Sequence, residues 1–260
     1  MSMLEMQAVT KKFGGIVACK DVSLSVVPGQ VAGLIGPNGA GKTTVFNLVT
    51  GVYAPTAGKI IFAGQDITAI RPDRVVDRGI ARTFQNIRLF RNLSVLDNVR
   101  IAVDKDVDYS LGETLVRAPR VRSRERDIRA MAMERLEEVG LADKADVRAD
   151  SLPYGLQRKL EIARALALGP RLLLLDEPAA GMNPEESLEL ASLVRAIHAR
   201  HGLTILLIEH HMDVVMDLCE KIFVLDFGVK LAEGTAEEIQ TNPDVLRAYL
   251  GEGYKRVRSQ

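Results

Sequence analysis

Cysteine is scarce in this 260-residue chain, with only Cys19 and Cys219. They stand far apart and show no C-x-x-C or metal-ligand spacing. That excludes a disulfide framework and leaves two free thiols in a reducing compartment as the simplest account. Net charge is also lacking, with 34 Lys+Arg against 34 Asp+Glu, so no long-range field draws the chain to nucleic acid or acidic lipid. The longest apolar runs, such as Leu172 to Leu175 and Leu203 to Ile208, fall far short of the roughly 20 residues that span a bilayer. Met1-Ser2-Met3-Leu4-Glu5-Met6 has no basic stretch followed by an apolar core, so no signal peptide is expected. Any membrane role must come through a partner. No internal repeat is visible either. What remains is a globular composition, 47% hydrophobic, long enough for one large α/β domain or two small ones.

What is present is concentrated chemistry. Gly36-Pro37-Asn38-Gly39-Ala40-Gly41-Lys42-Thr43-Thr44 fits G-x-x-x-x-G-K-[ST], the phosphate-binding loop. The apolar run Val31 to Ile35 reads as a buried strand entering it, and Thr44 to Val49 starts a helix. Backbone N–H groups of the glycine loop and the positive end of that helix form an anion cradle. Lys42 can reach the outer phosphates, and the Thr43 hydroxyl is placed to ligate Mg²⁺. The pattern predicts a nucleoside triphosphate site.

Around it the chain alternates in character. Val22, Leu24 and Val26 alternate with Ser23 and Ser25 before a Pro28-Gly29 turn, and Lys59 to Phe62 reads as a further strand. From about Leu93 to Ala167 the signals are helical and charged. Inside that stretch Arg117, Arg120, Arg122, Arg124, Arg126 and Arg129 form a basic run against Glu125 and Asp127. It has no interleaved aromatics and reads as a solvated helix face, so no nucleic-acid partner is expected. The α/β rhythm then returns: a strand over Arg171 to Leu175, a helix opened by Asn183-Pro184-Glu185-Glu186 and stopped by Gly202, and a strand over Leu203 to Ile208. A helix over Met212 to Cys219, a strand over Ile222 to Leu225 and a capping box at Thr235-Ala236-Glu237-Glu238 follow.

The strand Leu172-Leu173-Leu174-Leu175 delivers Asp176-Glu177 to the sheet edge, where Asp176 can hold the Mg²⁺ shell and Glu177 can polarise an attacking water. Ser151-Leu152-Pro153-Tyr154-Gly155-Leu156-Gln157-Arg158-Lys159-Leu160-Glu161-Ile162-Ala163-Arg164-Ala165-Leu166 resembles the signature motif and helix of ATP-binding cassette (ABC) ATPases. Gln85, in Arg82-Thr83-Phe84-Gln85, sits where that family has its Q-loop glutamine. His210 ends a strand where the family has its switch histidine, Phe13 resembles the aromatic that stacks on adenine, and Asn183 lies at the D-loop position. The resemblance covers essentially the whole chain and preserves motif order.

It implies an ABC nucleotide-binding domain of the α/β P-loop NTPase class: a RecA-like core, an antiparallel β subdomain, and a helical subdomain at roughly 86–167 inserted in the core. The domain would occupy 1–240 and a C-terminal tail 241–260. It further implies that ATP and Mg²⁺ are bound, Mg²⁺ by Thr43, Gln85 and Asp176, and that Glu177, His210 and Gln85 serve hydrolysis. Pro153, Tyr154, Gly155 and Asn183 would face a second ATPase subunit. Three stretches, Gly79 to Asn86, Asp176 to Pro184 and Asn242 to Gly251, look like the LivG-type ATPase subunits of branched-chain amino acid importers. Urea, amide and lipopolysaccharide-exporting relatives share much of them. In such systems the second ATPase is a different chain, the membrane partners are transmembrane permease subunits, and a solute-binding protein acts at the far side. The chain would then lie on the cytoplasmic face of the inner membrane as a peripheral subunit. A soluble ABC ATPase without a transporter is the rival from another class.

The signature departs from the family pattern L-S-G-G-Q: Pro153 stands for serine, Tyr154 for the first glycine and Leu156 for glutamine. Proline supplies neither a hydroxyl nor an N–H, so the ATP site completed by this surface is expected to be weakened while the chain's own phosphate loop stays intact. Phe90, just after Gln85, is either core of the helical segment or an exposed anchor for a membrane subunit.

Overall fold

The computed structural model describes residues 2–103 and 119–250. Arg117, the side chain of Arg120 and residues 251–260 of the expected tail lie outside them. The chain divides into two compact units, Met1–Arg82 joined with Arg171–Gln260, and Thr83–Pro170.

The first unit holds two sheets. Strands β1 (Leu4–Phe13), β2 (Ile16–Val26), β4 (Ala57–Phe62) and β5 (Gln65–Asp66) form an antiparallel sheet in the order β2-β1-β4-β5. The second sheet has the order β10-β9-β3-β8-β7-β6, built from β3 (Val31–Ile35), β6 (Ile80–Arg82), β7 (Leu172–Asp176), β8 (Thr204–Ile208), β9 (Lys221–Asp226) and β10 (Val229–Gly234). Its pairs are parallel except for the β9–β10 hairpin. β3, β7 and β8 are buried along their whole length, as strands covered on both faces must be, which explains their unbroken apolar sequences. Helix α1 (Lys42–Val49) lies between the two sheets. Its Val45, Phe46, Leu48 and Val49 share one core cluster with Met6, Val22, Ile60 and Phe62 of the antiparallel sheet and Leu34, Leu174, Leu206 and Phe223 of the parallel one.

A Cβ at Gly33 would sit 3.1 Å from the Cys219 sulfur and 3.4 Å from Val215. The other face of β3 is therefore packed closely by the end of a helix over Met212–Leu218. Cys19 and Cys219 are both free and buried, and burial pushes their thiols up to about 11 and about 12. The helix Pro184–His201 starts with both capping-box bonds in place: the Glu186 N–H donates to Asn183 Oδ1 and the Asn183 N–H to the Glu186 carboxylate, each at 2.9 Å. It ends at Gly202 in the left-handed conformation, φ 60°.

The second unit is helical, with α3 (Val95–Val103), α4 (Pro119–Glu138) and α5 (Tyr154–Ala167), the first two counted after α2 (Pro72–Asp77) of the first unit. Two 3₁₀ turns, Ala142–Lys144 and Ala149–Ser151, lead into α5. No strand occurs among its described residues; Ser94 and Arg148 make an isolated bridge. Leu96, Val99, Ile128, Leu136, Leu160 and Ala163 are buried in it. Phe90 is 46% exposed and lies with its ring centroid 5.0 Å from the Arg164 guanidinium. Among the described residues no helix is long and apolar enough to cross a membrane.

Candidate nucleotide site

The phosphate loop owes its shape to glycines that nothing else could replace. Gly36 has φ 150°, and a Cβ there would stand 2.1 Å from the Leu225 carbonyl oxygen. Gly41, which caps α1, has φ 99°, and its Cβ would meet the Ala18 carbonyl at 2.8 Å. The loop is thus pressed onto β9 and β2 on its protein side, while Asn38, Gly39 and Thr43 remain exposed. That leaves the N–H groups at the start of α1 available to an anion. Lys42 is buried, and its ammonium donates to the Gly36 and Pro37 carbonyls at 2.7 and 2.9 Å. Burial lowers its pKa, while the charges of Glu177 and Asp176 push the other way. One cation and two carboxylates therefore share the ground under the loop.

Asp176 ends β7 almost wholly buried. Its Oδ2 accepts from the Arg82 guanidinium at 2.6 Å, with side-chain exposures of 3% and 8%. Arg82 also donates to Asn47 at 2.7 Å and lies over the Phe46 ring. Glu177, the next residue, has φ 47°, a left-handed conformation that is costly for a residue with a Cβ and marks a constrained position. It is held there by its N–H, which donates to the Ile208 carbonyl at 2.9 Å. Its Oε1 lies 2.9 Å from His210 Nε2. The histidine is aimed by Glu209, whose buried carboxylate accepts from the N–H groups of Ala179, His210 and His211 at 2.7, 2.8 and 3.1 Å. A carboxylate at a sheet edge with a histidine on one oxygen can orient a water and accept its proton.

Phe13 is 41% exposed at the end of β1. Tyr53 meets it edge-on with centroids 5.0 Å apart, and the Lys11 ammonium sits 4.9 Å from its ring centre. From the C-terminal helix over Pro243–Leu250, Tyr249 reaches the phosphate loop. Although 41% of its surface stays exposed, desolvation pushes its phenol up to about 12, and the neighbouring Gly36 main chain acts the other way.

Phe13, residues 36–44, Asp176, Glu177, His210 and Asn183 all belong to the first unit, and Lys42, Asp176, Glu177 and His210 converge within it. Gln85, Pro153, Tyr154 and Gly155 belong to the second. There Pro153 is the residue before α5, with φ −53°, a conformation its ring favours, and Gln85 is joined to α5 through its carbonyl by Arg158 at 2.8 Å. Arg82, Glu209, Arg158, Tyr53 and Tyr249 carry contacts that sequence reasoning does not assign. A lone charged residue inside an apolar or helical stretch is the only signal for the first three.

A strand–loop–helix with this lysine, beside a neighbouring strand tipped by two acids, makes the molecule a P-loop ATPase. The ABC transporter family profile matches residues 19–180, and that of the branched-chain amino acid ATP-binding cassette transporters matches 229–255. The chain is 44% identical over 250 residues to the high-affinity branched-chain amino acid transport ATP-binding protein BraF of Pseudomonas aeruginosa, covering 96% of this chain and 98% of that one. It is 43% identical to LivG of Escherichia coli K12 over the same shares. The ADP conformation of MJ1267, an ATP-binding cassette of an ABC transporter, superposes with a TM-score of 0.85 at 32% identity, covering 97% of this chain and all of that one. The chain belongs to the ATP-binding subunits of ABC transporters, and it is a nucleotide-binding ATPase of that family.

Proposed function

We propose that this chain is the ATP-hydrolysing subunit that energises an importer of branched-chain amino acids. The observation that carries the hydrolytic half is the Glu177–His210 pair at 2.9 Å beside the buried Lys42. Support for the substrate class comes from the 44% identity with BraF and from the matching C-terminal segment.

In this reading Phe13 carries the adenine base, residues 36–44 enclose the phosphates, and Lys42 moves from the loop carbonyls to the outer phosphate oxygens. Glu177 orients the attacking water and takes its proton, and His210 holds the Glu177 carboxylate in place. Thr43, Asp176 and Gln85 supply hard oxygen donors of the kind Mg²⁺ takes. Bound there, Mg²⁺ neutralises charge on the phosphates.

A second ATPase subunit, a different chain, completes the site with its signature, while Pro153, Tyr154, Gly155 and Asn183 of this chain face the partner. Transmembrane permease subunits hold the chain at the cytoplasmic face of the inner membrane, and a solute-binding protein delivers the substrate at the other side. The test is purification of the tagged chain with its companions from detergent-solubilised membranes, followed by reconstitution into liposomes. ATP-dependent uptake of leucine, isoleucine or valine supports the reading. Uptake of urea or amides but of none of these three rejects the substrate class, and the absence of any membrane companion rejects the transport role.

A further inference from the structure

Tyr154, the departure at the first glycine of the signature, is 45% exposed, yet its hydroxyl joins a hydrogen-bond cluster centred on the buried Arg158 and Glu161. Tyr154, Arg158 and Glu161 follow one another at helical spacings of four and three, so they line one face of α5. The Arg158 side chain is fully buried. Its Nη1 donates to the Phe84 carbonyl at 2.6 Å and to Glu161 Oε2 at 2.7 Å; its Nη2 donates to the Gln85 carbonyl at 2.8 Å and to the Tyr154 hydroxyl at 3.1 Å. The other carboxylate oxygen of Glu161 accepts from the Phe84 and Arg88 N–H groups at 3.3 and 3.4 Å. Four main-chain groups of the 84–88 segment are thereby gripped by one helix face.

We propose that Arg158, seated by Tyr154 and Glu161, is a positioning residue that locks the Gln85 segment to the signature helix so that the two move as one body. This rests on the reading that Gln85 serves hydrolysis. The guanidinium fork suits such a role, because it points two nitrogens at successive carbonyls. A glycine at 154 would offer no hydroxyl to steady it. A buried ion pair is by itself weak evidence of a role in stability, and here the bonds converge on the main chain of the segment that carries Gln85. Displacement of the signature by a partner's nucleotide is then delivered directly to Gln85.

The test uses the full chain and its assembled complex. Arg158→Met with Glu161→Leu removes the lock without stranding a buried charge. Hydrogen exchange at the Phe84 and Arg88 amides should accelerate by about tenfold or more, while ATP affinity of the free chain stays within about twofold because the phosphate loop lies in the other unit. Turnover in the complex should fall by about tenfold or more, the cost of a misplaced catalytic segment. Arg158→Lys keeps the charge but loses the fork, and it should reproduce the turnover loss in part even if the double variant fails to fold. Released amides with turnover unchanged, or Arg158→Lys at the native rate, would overturn the proposal. Gln85→Ala separates the two readings. If it leaves turnover intact, the role of Gln85 falls; if it abolishes turnover while Arg158→Lys does nothing, only the lock falls.

Discussion

Replacing Arg82 by methionine withdraws the guanidinium from a carboxylate that is 3% exposed, at an N–O distance of 2.6 Å. Removing one member of such a buried pair costs about 3–5 kcal/mol, because the remaining charge keeps its desolvation penalty and loses its hydrogen-bonded counter-charge, leaving only the more distant Lys42. Methionine retains much of the packing over Phe46, where the guanidinium now lies 5.5 Å from the ring centre, so the charge dominates the change. The bond to Asn47 at 2.7 Å is lost as well, adding about 1 kcal/mol. With a urea m-value of about 3 kcal/mol/M, the unfolding midpoint of the full chain should fall by about 1–2 M. Asp176→Asn in the same chain removes the buried charge and should recover more than half of that loss. Circular dichroism through a urea series reads both. A midpoint within about 0.3 M of the native chain, or a double variant no better than the single one, would refute the electrostatic reasoning.

Gly36→Ala should abolish ATP binding by the free chain while it remains folded, since the added methyl would meet the Leu225 oxygen at 2.1 Å and the loop must shift; equilibrium binding of a fluorescent ATP analogue checks it. Tyr53→Ala should weaken ATP binding by about three- to tenfold, as expected for an aromatic contact worth roughly 0.5–1.5 kcal/mol, and leave inorganic triphosphate binding unchanged. Calorimetry with the two ligands compares them, and an equal loss for both would show that Tyr53 supports the loop rather than the base.

The elements legible in the sequence are those whose signal is local. β3, β7 and β8 are short buried runs between turn signals, and the capping boxes at Asn183 and Thr235 form where their residue patterns place them. β1 is harder to read because its register shifts between Met6 and Val9, and again around Lys11, which breaks the alternation. Ala8 lies there with φ 47°. β6 has only three residues, and β10 alternates exposed with half-buried positions, so neither stands out from its surroundings. At the site, the phosphate loop and the acid-tipped strand are readable because each is contiguous. The contact that holds the acid-tipped strand, Arg82 with Asp176, joins residues far apart in the chain, and so does the contact of Arg158 with Gln85 inside the other unit. Glu209 is a different case: it sits next to His210, but only the folded turn brings the Ala179 N–H to its carboxylate.

The central claim is that Glu177 drives hydrolysis while the phosphate loop binds. The most direct measurement compares ATP binding and ATP turnover in the assembled complex carrying Glu177→Gln. The carboxamide still occupies the position 2.9 Å from His210 but accepts no proton from water, so binding should stay within about twofold while turnover falls by about a hundredfold or more. A Glu177→Gln complex that hydrolyses ATP at the native rate would contradict the account.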